Sequence, residues 1–430
     1  MHHFQYRDKQ LYCEDVSIKK IAEKIGTPFY LYSYATLRRH YFAFNSAFEG
    51  VNKLICYSAK ANTNRAILNL FCRLGCGLDI VSGGELYRGI SAGFSPEKIV
   101  YSGVGKRIDE IDYALKSGIL MFNVESLDEM KCIDDRARLL KKRAPVAIRI
   151  NPDVDPKTHP YISTGLKKNK FGIDMEAALK GYELASQLEH IDIVGIDCHI
   201  GSQITEAEPF DHALKSLKVL IDKLKQLGIT IGYLDMGGGL GITYENETPP
   251  TLGEYANAIV TALDDPGLCL ILEPGRVLVG NAGILVTRVL YRKSGSSKDF
   301  VIVDAGMNDL LRPTLYNAYH AIEPVQKKDG GLMVADVVGP ICESGDFLAV
   351  DRGIADVAGG ALLAVMSTGA YGYVMSSNYC SRPRVAEVMV KGDQFEIVKR
   401  RENYDDLVKG ESIPVFIDEC LDGRDPKPMG

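Results

Sequence analysis

Residues 54–102 read LICYSAKANTNRAILNLFCRLGCGLDIVSGGELYRGISAGFSPEKIVYS. Three short β-rich runs, Leu54–Tyr57, Gly77–Val81 and Ile99–Ser102, alternate here with two helical patterns, Arg65–Leu74 and Gly84–Ala92. The alternation continues downstream. The runs Leu120–Val124, Val146–Ile150, Ile191–Ile200, Tyr233–Met236 and Leu268–Leu272 are separated by the helical segments Ile108–Lys116, Leu127–Leu140, Glu176–Leu188, Phe210–Leu227 and Leu252–Leu263. This makes eight strands with a helix in each gap. Repeated strand–helix units imply a parallel sheet, because each crossover returns the chain to the same edge. Eight units in about 225 residues fit an α/β fold closed as a (β/α)8 barrel, with a doubly wound open sheet as the alternative.

After Gly283 the texture changes. The runs Ile284–Tyr291, Phe300–Asp304, Leu332–Val338, Ala361–Met366 and Arg384–Val390 are β-rich, and few long helical patterns lie between them. They read as a mostly antiparallel β domain that follows the barrel. The first 25 or so residues could pack on either part.

Composition narrows the function. The chain has 430 residues, 46% hydrophobic and 25% charged, which is ordinary for a globular protein. Its net charge of −6, without a basic run, points to neither nucleic acid nor an anionic membrane as a partner. No apolar stretch approaches the roughly 20 residues of a membrane span, and Met1 to Asp15 lack a signal-peptide core, so a cytoplasmic location is expected. The ten cysteines contain no C-x-x-C pair, so neither a disulfide framework nor a metal site is indicated.

The chemistry-bearing residues fall just after the expected barrel strands. Lys60 follows the first, Asp79 lies in the second, Arg149 ends the fifth and His199 closes the sixth. Gly237, Gly238, Gly239 and Gly241 follow the seventh, and Glu273 the eighth. In such a barrel all strands end at one face, where active sites lie, and phosphate sites recur after strands seven and eight. Taken singly, each residue has a plain reading. Lys60 would be a surface lysine, His199 a hydrogen-bonded core histidine, Glu273 a loop acid and Cys342 a buried hydrophobe. Their joint placement favours a site.

The segments YSAKAN (57–62), GLDIVSGGEL (77–86), HIGSQ (199–203), GGGLG (237–241), EPGR (273–276), DAGMNDLLRPTLY (304–316), CESGD (342–346) and GAYG (369–372) resemble the motifs of the fold-type III pyridoxal-phosphate decarboxylases, in the same order. The resemblance covers nearly the whole chain. It implies a (β/α)8 barrel over 26–280, with 1–25 joining 281–430 in the β domain, and a head-to-tail homodimer with shared active sites. It implies pyridoxal 5'-phosphate as cofactor and Lys60 as the lysine that bonds it. A Schiff base needs a neutral amine, so a lowered pKa is expected for Lys60. Glu273 matches the partner of the pyridine nitrogen, and His199 the residue stacked on the ring. Ser202, Gly238, Gly239, Gly275, Arg276 and Tyr371 match phosphate contacts, while Asp79 and Arg149 lie near the cofactor. Cys342 matches the proton donor, supplied across the dimer interface.

The small-molecule amino-acid substrate is set by what meets its far end. Arg276, Arg312 and Tyr316, with Tyr371, stand at the matching positions, and Glu343 lies beside Cys342. Two guanidiniums and a phenol suit a distal carboxylate, and Glu343 suits a distal ammonium. Meso-diaminopimelate carries both, and its decarboxylation would release lysine and CO2. Ornithine, arginine and carboxynorspermidine are the alternative substrates, and a non-catalytic cofactor-binding relative is the alternative role. A plain structural reading makes Arg312 a surface or interface salt-bridge residue. The stretch from Asp153 to Phe171, long for a strand–helix loop, is expected to act as a lid.

Overall fold

The computed structural model describes residues 2–155, 158–162, 164–165, 169–262 and 267–417. Eight parallel strands form the barrel: β1 (Lys53–Ser58), β2 (Gly77–Ile80), β3 (Ile99–Tyr101), β4 (Met121–Val124), β5 (Ala144–Asn151), β6 (Ile191–Asp197), β7 (Tyr233–Asp235) and β8 (Cys269–Leu272). Each pairs with the next, and β8 pairs with β1. The open-sheet alternative is thereby excluded. The strand foreseen over Ile191–Ile200 stops at Asp197, the last residue in register with β7. His199 therefore sits in the loop beyond the strand.

The barrel interior has two layers, and both follow from the two-residue period of a strand. The lower layer is Cys56, Val100, Met121, Ala147 and Ile271, packed together as an apolar plug. Gly77, Gly195 and Tyr233 hold the corresponding positions on the other three strands. Two residues further on, every strand carries a buried polar side chain: Ser58, Asp79, Ser102, Asn123, Arg149, Asp197, Asp235 and Glu273. The plug closes the bottom, and the polar layer forms the floor of the upper face.

The second sheet is built from β9 (Gly283–Ser294), β10 (Asp299–Val303), β11 (Leu332–Val338), β12 (Phe347–Ala355), β13 (Leu362–Val365), β14 (Ala386–Lys391) and β15 (Gln394–Lys399), and most of its pairings are antiparallel. Two further strands belong to this sheet: Phe29–Ser33, which lies between β9 and β14, and Ile322–Pro324, which pairs with β13. The boundary expected at residue 26 is thus too early. FYLYS is buried at all five positions, and its backbone is paired on both edges by strands some 250 and 360 residues later in the chain. The helix Tyr34–Ala47 begins directly after it, with the Ser33 hydroxyl accepting Thr36 N–H. Phe4, Leu11, Val16 and Ile21 pack with Ile284, Val286 and Val388.

Candidate active site

The polar floor is strongly acidic. Asp79, Glu125, Asp197, Asp235 and Glu273 are buried together, with Lys60 and Arg149 as neighbouring cations. Lys60 Nζ donates to Asp79 Oδ2, which also accepts the Ser58 hydroxyl at 2.8 Å. Asp79 Oδ1 is buried without a hydrogen bond, as is Asp197 Oδ1. Arg149 donates to Glu125 at 2.7 Å and to His199 O at 3.2 Å. Asn123 links Ser102 at 3.1 Å to Asp235 at 3.0 Å. Burial, then Asp235 and Asp79, push the Glu273 carboxyl well above the usual range, and Lys60 offsets this only in part. Burial pushes Asp235 up to about 6.

This floor corrects the expectation for Lys60. Burial works against its charge, but Asp79 and Glu273 outweigh burial and hold the ammonium above its ordinary pKa. The lysine is charged because acids surround it.

Above the floor, three loops converge. His199 Nδ1 accepts Gly238 N–H at 3.1 Å, which leaves the ring proton on Nε2. Burial and then Arg149 keep this imidazole neutral. A Cβ on Gly238 would lie 2.2 Å from Glu273 O, and one on Gly239, whose φ is +116°, would lie 2.5 Å from Gly201 O. Only glycines let these loops meet. Lys60, His199, Ser202, Gly238, Gly239, Glu273, Gly275, Arg276 and Tyr371 line one cavity of about 420 Å³. Asp79 reaches it through Lys60, and Arg149 stands behind His199 O.

A second cavity of about 1050 Å³ adjoins it and shares Ser202, Arg276 and Tyr371. Arg312, Tyr316, Tyr244, His159 and Ile162 also line it, as do the carboxylate-bearing Glu245 and Glu247. Arg312 is 7% exposed, and among the described residues it has no acidic partner, so the salt-bridge reading of this residue fails. The short helix Arg312–Tyr316 carries it inward. His159 meets the Tyr316 ring at 5.8 Å, so part of the foreseen lid touches this cavity. Residues 156–157, 163 and 166–168 of that stretch lie outside the described residues.

Cys342 and Glu343 do not join either cavity. Both are exposed on the turn before β12, where Glu343 accepts the Tyr379 hydroxyl at 2.7 Å. The buried-hydrophobe reading of Cys342 therefore fails too. Tyr244, Asp235, Asp197 and Glu125 are site residues that the sequence reading missed. Asp197 and Asp235 each end an apolar strand and Glu125 directly follows one, but nothing local joins them to the site.

The two poles of the smaller cavity fit pyridoxal phosphate. An acid excess with an unpaired Asp79 oxygen suits a protonated ring, and glycine loops beside Arg276 and Ser202 suit a phosphate. Fold and cavity together define a pyridoxal-dependent decarboxylase of the barrel type. The family model for "Pyridoxal-dependent decarboxylase, pyridoxal binding domain" matches residues 34–280, starting one residue after the Phe29–Ser33 strand. A diaminopimelate decarboxylase of Pseudomonas aeruginosa is 52% identical over 410 residues, 95% of this chain and 99% of the relative. One of Aquifex aeolicus is 52% identical over 408 residues, 95% of this chain and 97% of the relative. The crystal structure of diaminopimelate decarboxylase from Helicobacter pylori complexed with L-lysine superposes with a TM-score of 0.88 at 42% identity, covering 94% of this chain and all of that one. The enzyme from M. jannaschii in co-complex with L-lysine gives 0.91 at 39% identity, covering 96% and 98%. The chain belongs to the diaminopimelate decarboxylase family.

Proposed function

We propose that this protein is a pyridoxal-phosphate-dependent carboxy-lyase that converts meso-2,6-diaminopimelate to L-lysine and CO2. The observation that carries this reading is the pair of buried guanidiniums, Arg276 and Arg312, in a cavity that adjoins the one lined by Lys60, where among the described residues no carboxylate pairs with either of them.

The cofactor, when bound, supplies an aldehyde that takes up the substrate amine and a ring that accepts the electron pair released with CO2. The residues of the chain do the rest. Lys60 is the residue that would hold the cofactor. Glu273 would face the ring nitrogen, where a carboxylate favours a protonated ring. His199, a neutral imidazole on the cavity wall, would pack against the ring. Ser202, the backbone of Gly238, Gly239 and Gly275, and Arg276 with Tyr371 hold the phosphate. Arg276, Arg312 and Tyr316 grip the substrate carboxylate that does not react, and this orients the other one for loss. Cys342 of the partner subunit then returns a proton to the α-carbon, with the partner's Glu343 on the distal ammonium. This division of labour calls for a homodimer. The nine described cysteines are all free thiols, which supports a reducing, cytoplasmic setting.

The test is turnover. Cofactor-loaded enzyme is incubated separately with meso-diaminopimelate, its LL isomer, ornithine, arginine and carboxynorspermidine, and CO2 and amine are followed. Lysine from the meso isomer alone is expected. Turnover of ornithine or arginine at a comparable rate would overturn the role given to the arginines.

The glycine loops give a second prediction. In Gly238→Ala the new methyl group meets the backbone at Glu273, which cannot step aside as a side chain could. Overpacking of this kind costs about 1–3 kcal/mol. Cofactor affinity, read from visible absorbance during dialysis, should fall about ten- to a hundred-fold. Undiminished retention would show that these loops do not cradle the phosphate.

A further inference from the structure

Tyr244 lies three residues past the glycine run, in a part of the chain that none of the matched motifs includes. Its hydroxyl accepts Nη1 of Arg276 and Nη1 of Arg312, each at 2.7 Å. The Arg312 guanidinium also lies over its ring, 4.6 Å from the centroid. The ring meets the imidazole of His320 edge to face at 5.3 Å, and the backbone N–H donates to Glu247 at 2.9 Å. Tyr244 is therefore fixed at its ring and at its backbone.

The hydrogen-bond arithmetic is unusual. A phenol oxygen has two lone pairs and one proton. Both lone pairs are taken by guanidiniums, so the proton remains to be given. Each guanidinium also keeps a buried Nε without a partner. The wall of the larger cavity thus carries the Tyr244 hydroxyl proton and two guanidiniums, and among the described residues no carboxylate pairs with either arginine. The missing acceptor is an anion with two oxygens and a flat shape.

We propose that Tyr244 is a substrate-binding residue that donates its hydroxyl proton to the distal carboxylate and holds the two arginines at the spacing that carboxylate needs. Its ring face also separates and screens two like charges in a dry site. The inference rests on reading the larger cavity as the substrate site.

The test uses cofactor-loaded Tyr244→Phe, which keeps the ring and loses the hydroxyl. L-Lysine retains the distal carboxylate, whereas 1,5-diaminopentane lacks it. Both are titrated as inhibitors of wild type and variant. A lost hydrogen bond to a charged group should weaken lysine about 10- to 100-fold, with the diamine moving less than about threefold. KM for diaminopimelate should rise by a similar factor while kcat and the cofactor absorbance stay near wild type. Equal weakening of both ligands, or unchanged lysine affinity, would overturn the role of Tyr244 alone. A wild-type enzyme that does not prefer lysine to the diamine would overturn the substrate reading, and this proposal with it.

Discussion

Mixing a Lys60→Ala chain with a Cys342→Ala chain restores activity that neither chain has alone. The expectation follows from where one chain puts the two groups. Lys60 lines the cavity at the end of β1. Cys342 is exposed on a turn of the other sheet and reaches neither cavity of its own chain. A proton donor must stand within hydrogen-bond reach of its target, directly or through one water. On the role proposed for Cys342, a second copy would bring the thiol. Lys60→Ala removes the attachment of the cofactor, and Cys342→Ala removes a positioned acid that contributes about 10²- to 10⁴-fold. When equal amounts of the two chains exchange subunits, about half of the dimers are mixed, and each mixed dimer has one intact site. Activity near a quarter of wild type is expected from this symmetry. The measurement is specific activity after subunit exchange, with exchange verified by mass. No recovery in a population that contains mixed dimers would place the donor within one chain and remove the shared site.

How much of this was legible in the sequence depended on range. The barrel was readable because its signals are local: a strand, a turn and a helix, repeated. Lys60, His199 and Glu273 were readable because each ends or follows such a strand. The floor was legible only in part. Asp79, Arg149 and Glu273 stood out as charges near apolar runs, but Asp197 and Asp235 became site residues only once barrel closure set β6 beside β5 and β7. The strand Phe29–Ser33 was missed because nothing local marks it. FYLYS has no polar alternation, since both of its faces are covered, and its partners lie far along the chain. The charge of Lys60 was misjudged for a related reason. Burial alone predicts a lowered amine, and the acids that reverse it come from β2 and the loop after β8. Tyr244 carried no signal at all, because a tyrosine after a glycine run is unremarkable until two arginines are seen to share its oxygen.

Arg312→Met is expected to abolish most turnover of diaminopimelate while leaving the protein as stable as wild type or more so. The two halves of this prediction have one cause. Arg312 is a buried cation, and burial together with Arg276 pulls its pKa below the ordinary value. It neighbours a second buried guanidinium and no acid among the described residues. Such a charge is a cost to the folded chain that only an anionic ligand relieves. Methionine has similar length, fills the space and needs no partner, so the melting temperature should hold or rise. Bound to this variant, the substrate would place its distal carboxylate against a thioether. Losing one partner of a buried charge pair costs about 3–5 kcal/mol, so kcat/KM should fall roughly 10²- to 10⁴-fold. Cofactor absorbance should persist, since the Lys60 cavity is not lined by Arg312. L-Lysine is expected to raise the melting temperature of the loaded wild-type enzyme by binding, and should not do so in the variant. A structural salt-bridge residue would behave in the opposite way, with the melting temperature falling and the residual activity keeping its preference. The same stored charge explains why the site can be selective. An amino acid that lacks a second carboxylate leaves both arginines unanswered, and sites built around a buried polar group reject such analogues by about 10⁴–10⁵. With Arg312 gone, that preference should shrink toward what Arg276 alone can enforce, so the ratio of diaminopimelate to lysine turnover, more than either rate, reports what this residue does.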